Sequence, residues 1–156
     1  MDKRRLQKLA GILTEDKAKI SKDQKHGFHV DVEKATKDNE DFRRVLYTTE
    51  DNQLVLMTLQ PGEDIGAEVH EVTAQFFRFE EGEGKCEVDG TEYKVKDGDS
   101  VIVPQGVKHN IINTSDTKKL KLYTLYSPPV HDDGLVFKTK KEAEEKEKGV
   151  VKTHSA

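Results

Sequence analysis

Between Gly62 and Asn113 the chain sets glycine, proline and histidine at intervals that cut its middle into short segments. A first cluster runs Pro61, Gly62, Glu68, His70, Gln75 and Gly82. A second runs Gly98, Pro104, Gly106, His109 and Asn113, with the spacing Gly-x5-Pro-x-Gly-x2-His-x3-Asn. Both clusters combine turn-forming residues with side chains that bind divalent metals, and each can be followed to its place in a strand.

Leu54 to Leu59 is apolar on both faces, as a strand in a closed or double-layered sheet is, and it ends at the turn-forming Pro61-Gly62. In KCEVDGTEYKV, Cys86 and Val88 alternate with Lys85 and Glu87. Asp89-Gly90 then supplies a two-residue hairpin turn, and Tyr93 and Val95 alternate with Glu92, Lys94 and Lys96. Val101 to Val103 is a strand stopped by Pro104, and His109 to Asn113 and Leu120 to Tyr126 are two more. About eight strands at this spacing predict a jelly-roll barrel.

Two flanks differ from this middle. Residues 3–20 place Leu6, Leu9, Ala10 and Leu13 on one helical face with Lys and Arg opposite, which predicts a short amphipathic helix within an extension over 1–29. Glu15 and Asp16 make docking on protein a better expectation for it than docking on a membrane. From Lys138 onward the segment KTKKEAEEKEKG is almost wholly charged, with Thr139 and Glu142 spaced as a capping box and Glu144 four residues before Lys148. Residues 138–156 therefore read as a solvated helix or frayed tail, and 30–137 as the barrel.

The net charge of −4 leaves no excess of cations to displace phosphate counterions, so nucleic acid is not an expected partner. No apolar run approaches the ~20 residues needed to cross a bilayer. The start lacks an apolar secretory core, and the single cysteine, Cys86, fits a reducing compartment, so the cytoplasm is the expected location. Cys86 itself reads as a small buried hydrophobe.

Strand alternation says which way the candidate donors point. Glu68 and His70 are two apart and share a face; Gln75 shares one with Phe77 and Phe79; His109 shares one with Ile111 and Asn113. The Pro104-x-Gly106 turn swings His109 toward the first cluster. Glu68, His70, Gln75 and His109 are thus the expected metal donors, and Phe77, Phe79, Ile111 and Tyr126 the expected pocket lining. Tyr126 is placed inward and Tyr123 outward because Lys119 and Lys121 should face water. Asn113 is expected to stabilise a turn or strand end, and His26, His29 and His154 to be solvated.

Two imidazoles and one carboxylate with open positions are the donor set that holds non-haem Fe(II). With an amide oxygen from Gln75 the set suits Zn, Mn, Fe, Co or Ni about equally well, so one divalent transition metal is expected without its identity being readable. Gln75 could equally be a hydrogen-bonded interior amide.

The spacing of the second cluster closely resembles the second motif of the cupin superfamily, and the first follows that superfamily's other motif in spacing. Residues 30–137 are similar to a single-domain cupin of the RmlC-like kind, which implies an all-β double-stranded β-helix. His70 and His109 match the family's pattern, whereas Glu68 stands where a His is usual and Gln75 where a Glu is usual. The donor composition also resembles, though not in order, the Gln, His, Glu, His zinc set of mannose-6-phosphate isomerases. The resemblance implies a small-molecule ligand or substrate and pairing into a homodimer.

Three functions are compatible with these residues. A metal-dependent enzyme of the sugar-isomerase type, slightly favoured by donor composition, would use the ion as a Lewis acid on a sugar- or keto-acid-like molecule, with Glu68 or His131 as base. A non-haem Fe(II) dioxygenase would use Glu68, His70 and His109 as a triad. A non-catalytic binding protein would keep the barrel without the chemistry.

Overall fold

The computed structural model describes residues 26–151. The amphipathic helix expected over 3–20 lies outside them, as does His154. Helix α1 is Val32–Asp38. Nine strands follow: β1 Arg43–Thr48, β2 Gln53–Leu59, β3 Ala74–Glu81, β4 Glu83–Val88, β5 Thr91–Lys96, β6 Ser100–Val103, β7 His109–Asn113, β8 Leu120–Ser127 and β9 Val136–Phe137. Helix α2, Lys140–Val151, ends the described chain.

The strands form two antiparallel sheets, one of six strands in the order β6-β3-β8-β2-β1-β9 and one of three in the order β5-β4-β7. This is the expected all-β jelly roll. Residues that alternate inward from each sheet meet in one core. Val55, Met57 and Leu59 come from β2, Phe77 and Phe79 from β3, and Leu120, Leu122 and Tyr126 from β8. Opposite them lie Cys86, Val95 and Ile111. Each such side chain contributes about 1.5–3 kcal/mol by leaving water. Cys86 is wholly buried, and burial, followed by the charge of Glu87, pushes its thiol up to about 12. It is an inert part of that core.

The hairpin at Asp89-Gly90 forms as its residues require. Asp89 (φ 49°) and Gly90 (φ 81°) are both left-handed, the geometry of a type I′ turn, and Val88 pairs with Thr91 across it. Asn113 closes a different turn. Its amide nitrogen donates to the carbonyls of Leu59, Gln60 and Lys118, and its oxygen accepts from the Ser115 amide. One buried side chain therefore ties the end of β7 to the end of β2 and the start of β8.

Helix α1 is an element the sequence reading did not separate from the barrel. Asp31 caps it through the Lys34 amide (3.2 Å), and Lys34–Asp38 and Lys37–Glu33 bridge successive turns on its exposed side. Beyond it, Asn39 exchanges hydrogen bonds with Thr58 of β2, which seats the segment on the outer face of the large sheet. Such cover explains why β2 is apolar on both faces.

It also corrects the expectation that Lys121 faces water. Lys121 lies on the outer face of β8 but is only 4% exposed, because the α1 segment covers it. Its ammonium donates to the Lys37 carbonyl (2.5 Å) and to Glu40 (2.7 Å). Tyr126 still points inward, since its parity is opposite to that of Lys121.

Hydrogen bonds from Lys119 and Lys121 hold the Glu40 carboxyl at about 2, below an ordinary value near 4.5. A depressed folded-state value means that Glu40 stabilises the fold above about pH 5 and loses that contribution as pH falls toward 2. Glu40 is 59% exposed and therefore screened, so Glu40→Gln is expected to cost only about 1 kcal/mol at pH 7. Urea midpoints should show the gap between wild type and variant closing from pH 5 to pH 2; a gap independent of pH would contradict this.

Candidate metal centre

The segment between β2 and β3 carries Glu68 and His70 and is not a regular strand. It runs antiparallel beside β7, held by bridges between Asp64 and Ile112 and between Glu68 and His109. The Glu68 and His109 amides and carbonyls bond reciprocally at 2.9 and 3.0 Å. Gly66 is left-handed (φ 107°), and its amide donates to Asn110, whose own amide donates to Asp64. At the far end the Gly106 amide donates to the His70 carbonyl at 2.8 Å. The Pro104-x-Gly106 turn is thus fastened to His70, which brings the two sequence clusters together.

Glu68, His70 and His109 offer ligand atoms that all lie within 4.8 Å of one another. His70 Nε2 is 3.0 Å from Glu68 Oε2, and His109 Nε2 is 3.1 Å from Gln75 Oε1. Neighbouring donors around one ion at bond lengths of about 2.1 Å stand about 3.0–3.4 Å apart, so both pairs are spaced as ligands of a common cation are. His109 and Gln75 are buried at the inner side, and Glu68 and His70 are half-buried on the outer side.

The hydrogen bonds of His109 test the fit. Its Nδ1 lies 2.9 Å from the Val107 carbonyl, which can only accept, so Nδ1 carries a proton. Burial, the largest influence, and the neighbouring His70 lower the His109 pKa and favour its neutral form. In that form Nε2 presents a lone pair to Gln75 Oε1, while the Gln75 amide nitrogen is already donating to Thr124 (2.9 Å). Two acceptors facing each other at 3.1 Å in a buried site are placed to share a cation, and a divalent metal is what this donor set accepts.

Glu68 is held ionised. Burial, the largest single influence, raises its pKa, but the His70 hydrogen bond and the charge of Arg43 help bring it below the ordinary carboxylate value. A carboxylate stabilised in this way is a good ligand and a weak base.

Of the expected lining, Phe77 packs 6.0 Å from the His109 ring and Tyr126 meets the His70 ring edge-on at 5.7 Å. Phe79 and Ile111 are wholly buried core residues. His131 bonds Tyr126 Oη through Nε2 (3.2 Å) and stacks edge-on with it.

Three residues at the site were not anticipated. Thr124 orients Gln75. Arg43 on β1 is buried, with Nη2 4.0 Å from Glu68 Oε1, and Glu147 on α2 contacts the same guanidinium at 2.6 Å. Adjacent Arg43 and Arg44 were the available signal, since neighbours on one strand face opposite sides and one of them must point inward. Nothing local in the charged C-terminal segment marks Glu147.

Residues 55–126 match the family model Cupin_2, the cupin domain. A crystal structure of BH2720 from Bacillus halodurans is 38% identical, covers 81% of this chain and 99% of that one, and superposes with a TM-score of 0.76. The chain belongs to the cupin superfamily. The cupin is also 42% identical over 122 residues to YrkC, an uncharacterised protein of Bacillus subtilis strain 168; the match takes in 74% of this chain but 65% of YrkC, just under two thirds of its length. An RmlC-like cupin from Shewanella frigidimarina NCIMB 400 is 25% identical over 56% of this chain and 75% of its own, with a TM-score of 0.52. Among the described residues of this cupin no helix is long and apolar enough to cross a membrane.

Proposed function

We propose that this cupin is a metal-dependent enzyme that holds one divalent transition ion through Glu68, His70 and His109, with Gln75 as a fourth donor. Its substrate in this reading is a small polar molecule of the sugar or keto-acid kind. The observation that carries the reading is the His109 lone pair set against Gln75 Oε1 at 3.1 Å, an arrangement that a cation satisfies. A bound divalent ion would supply Lewis-acid polarisation of a substrate oxygen.

The chain's own residues set the charge of that centre. Glu68 is the one carboxylate among the four donors, because the exchange that puts a carboxylate at Glu68, where a His is usual, puts a neutral amide at Gln75, where a Glu is usual. A divalent ion here keeps a surplus positive charge, which favours an oxyanion or a polarised carbonyl as the incoming ligand. Tyr126 and Phe77 wall the site with apolar surface and limit water. Glu68 acts as a ligand in this reading, which leaves an aldose–ketose isomerase without an evident base and moves the balance toward keto-acid-like substrates.

A non-haem Fe(II) dioxygenase is the second reading, favoured by the two-imidazole, one-carboxylate donor set. Elemental analysis of the untagged protein, as purified and after anaerobic loading with Fe(II), separates the two. About one zinc, manganese or nickel per chain, with turnover independent of oxygen, supports the first. Stoichiometric iron with oxygen uptake supports the second, and no metal under any loading condition overturns both in favour of a binding protein.

A further inference from the structure

Arg43 is the one arginine of the described chain whose side chain is almost wholly enclosed, at 2% exposure, and it is enclosed beside the metal donors. Burying a guanidinium costs several kcal/mol unless its donors are satisfied. Here they are satisfied poorly. Nε is buried with no hydrogen-bond partner, Nη2 stands 4.0 Å from Glu68 Oε1, beyond hydrogen-bond reach, and only Nη1 has a short bond, to one oxygen of Glu147 at 2.6 Å. A group built to grip a carboxylate with two parallel bonds is held by one oxygen.

That oxygen arrives from far away in the chain. Glu147 lies on α2, whose first turn is tethered by Lys140 to Asp64 of the segment that carries Glu68. Ala143 packs into the core beneath it. The C-terminal helix thus brings a carboxylate to the inner arginine at the edge of the metal centre. Burial, above all, and the charge of Glu68 raise the Glu147 pKa, with Arg43 opposing them.

We propose that Arg43 is the residue that recognises a carboxylate on the ligand of this centre, and that Glu147 occupies the guanidinium when no such ligand is bound. The ligand class is a small 2-hydroxy or 2-oxo acid, with its hydroxyl or carbonyl oxygen toward the ion and its carboxylate on Arg43. The inference rests on the metal-centre reading for the first contact but not for the second. A purely structural latch between β1 and α2 is the competing account; it predicts that weakening Glu147 loosens the helix without improving the binding of anything.

Glycolate, with uncharged glycolamide as control, is the probe, titrated calorimetrically into the full-length protein with and without one equivalent of zinc. Metal content is read first, on wild type, Arg43→Gln and Glu147→Gln. The expected result is unchanged zinc in Glu147→Gln, glycolate binding at least about tenfold weaker in Arg43→Gln at equal zinc occupancy and severalfold tighter in Glu147→Gln, and no such pattern with glycolamide. Wild-type affinity in a folded Arg43→Gln, or unchanged or weaker binding in Glu147→Gln, overturns the proposal. If Arg43→Gln does not fold, Arg43→Lys takes its place, with the same weakening of glycolate binding expected because lysine keeps the charge but cannot make the two parallel bonds. Failure of wild type to hold zinc, with the Glu147→Gln gain still present, condemns the metal centre and leaves Arg43 as the carboxylate site.

Discussion

Replacing His70 or His109 with alanine is expected to lower the zinc bound per chain at least tenfold at a fixed free-metal concentration. Loss of a group that only orients a ligand typically costs ten- to a hundredfold in affinity, and each of these imidazoles is a candidate ligand itself. The two variants should differ in a second respect. His109 is 4% exposed and its Nδ1 donates to the Val107 carbonyl, so its removal leaves a buried cavity and a carbonyl that has lost its donor. His70 is half-buried, and its removal should leave the metal-free fold nearly as stable as wild type. Elemental analysis after equilibration in buffered zinc, with urea unfolding of the metal-free proteins, reads both effects. Unchanged zinc in the two variants would remove the centre from this cupin.

The second large effect concerns Gly82, where the chain leaves the six-stranded sheet at the end of β3 and enters the three-stranded one at β4. Its backbone is left-handed (φ 92°), and a Cβ there would meet the Lys119 carbonyl oxygen at 2.4 Å and the Leu120 Cα at 3.1 Å. Both obstacles are backbone, so neither can turn aside. Gly82→Ala is expected to destabilise the fold by about 2–5 kcal/mol, a left-handed penalty of about 1 kcal/mol or more plus the clash. Against a total stability of about 5–15 kcal/mol for a domain, that is a large share. Gly62→Ala is the control, since Gly62 is left-handed too (φ 77°) but has nothing within 4 Å of a built Cβ. Its cost should be confined to the backbone, and equal urea midpoints for the two variants would contradict the close approach at Gly82.

The barrel was legible because its signals are local. Alternation puts Gln75, Phe77 and Phe79 on one face and His109, Ile111 and Asn113 on another, and the sheets keep that parity. Asp89-Gly90 demands a hairpin whatever surrounds it. The candidate cluster of Glu68, His70 and His109 was legible for a related reason, since residue types that bind metal recur at spacings that strand alternation can align. Helix α1 was missed because seven residues carry too few turns for a periodic pattern, although Asp31 was a usable cap signal.

What the sequence by itself determined about this cupin is the kind of fold, the parity of its strands and a set of side chains, Glu68, His70 and His109, that could hold a metal. These depend on dihedral preference and on which side of a strand a residue occupies, both set within a few residues. Only the tertiary structure decided that Lys121 lies under α1, that His109 turns a lone pair toward Gln75, and that Arg43 and Glu147 meet across 104 positions of chain. Those outcomes depend on which distant groups are brought to one low-dielectric place, where an unpaired charge or lone pair is costly enough to choose its partner.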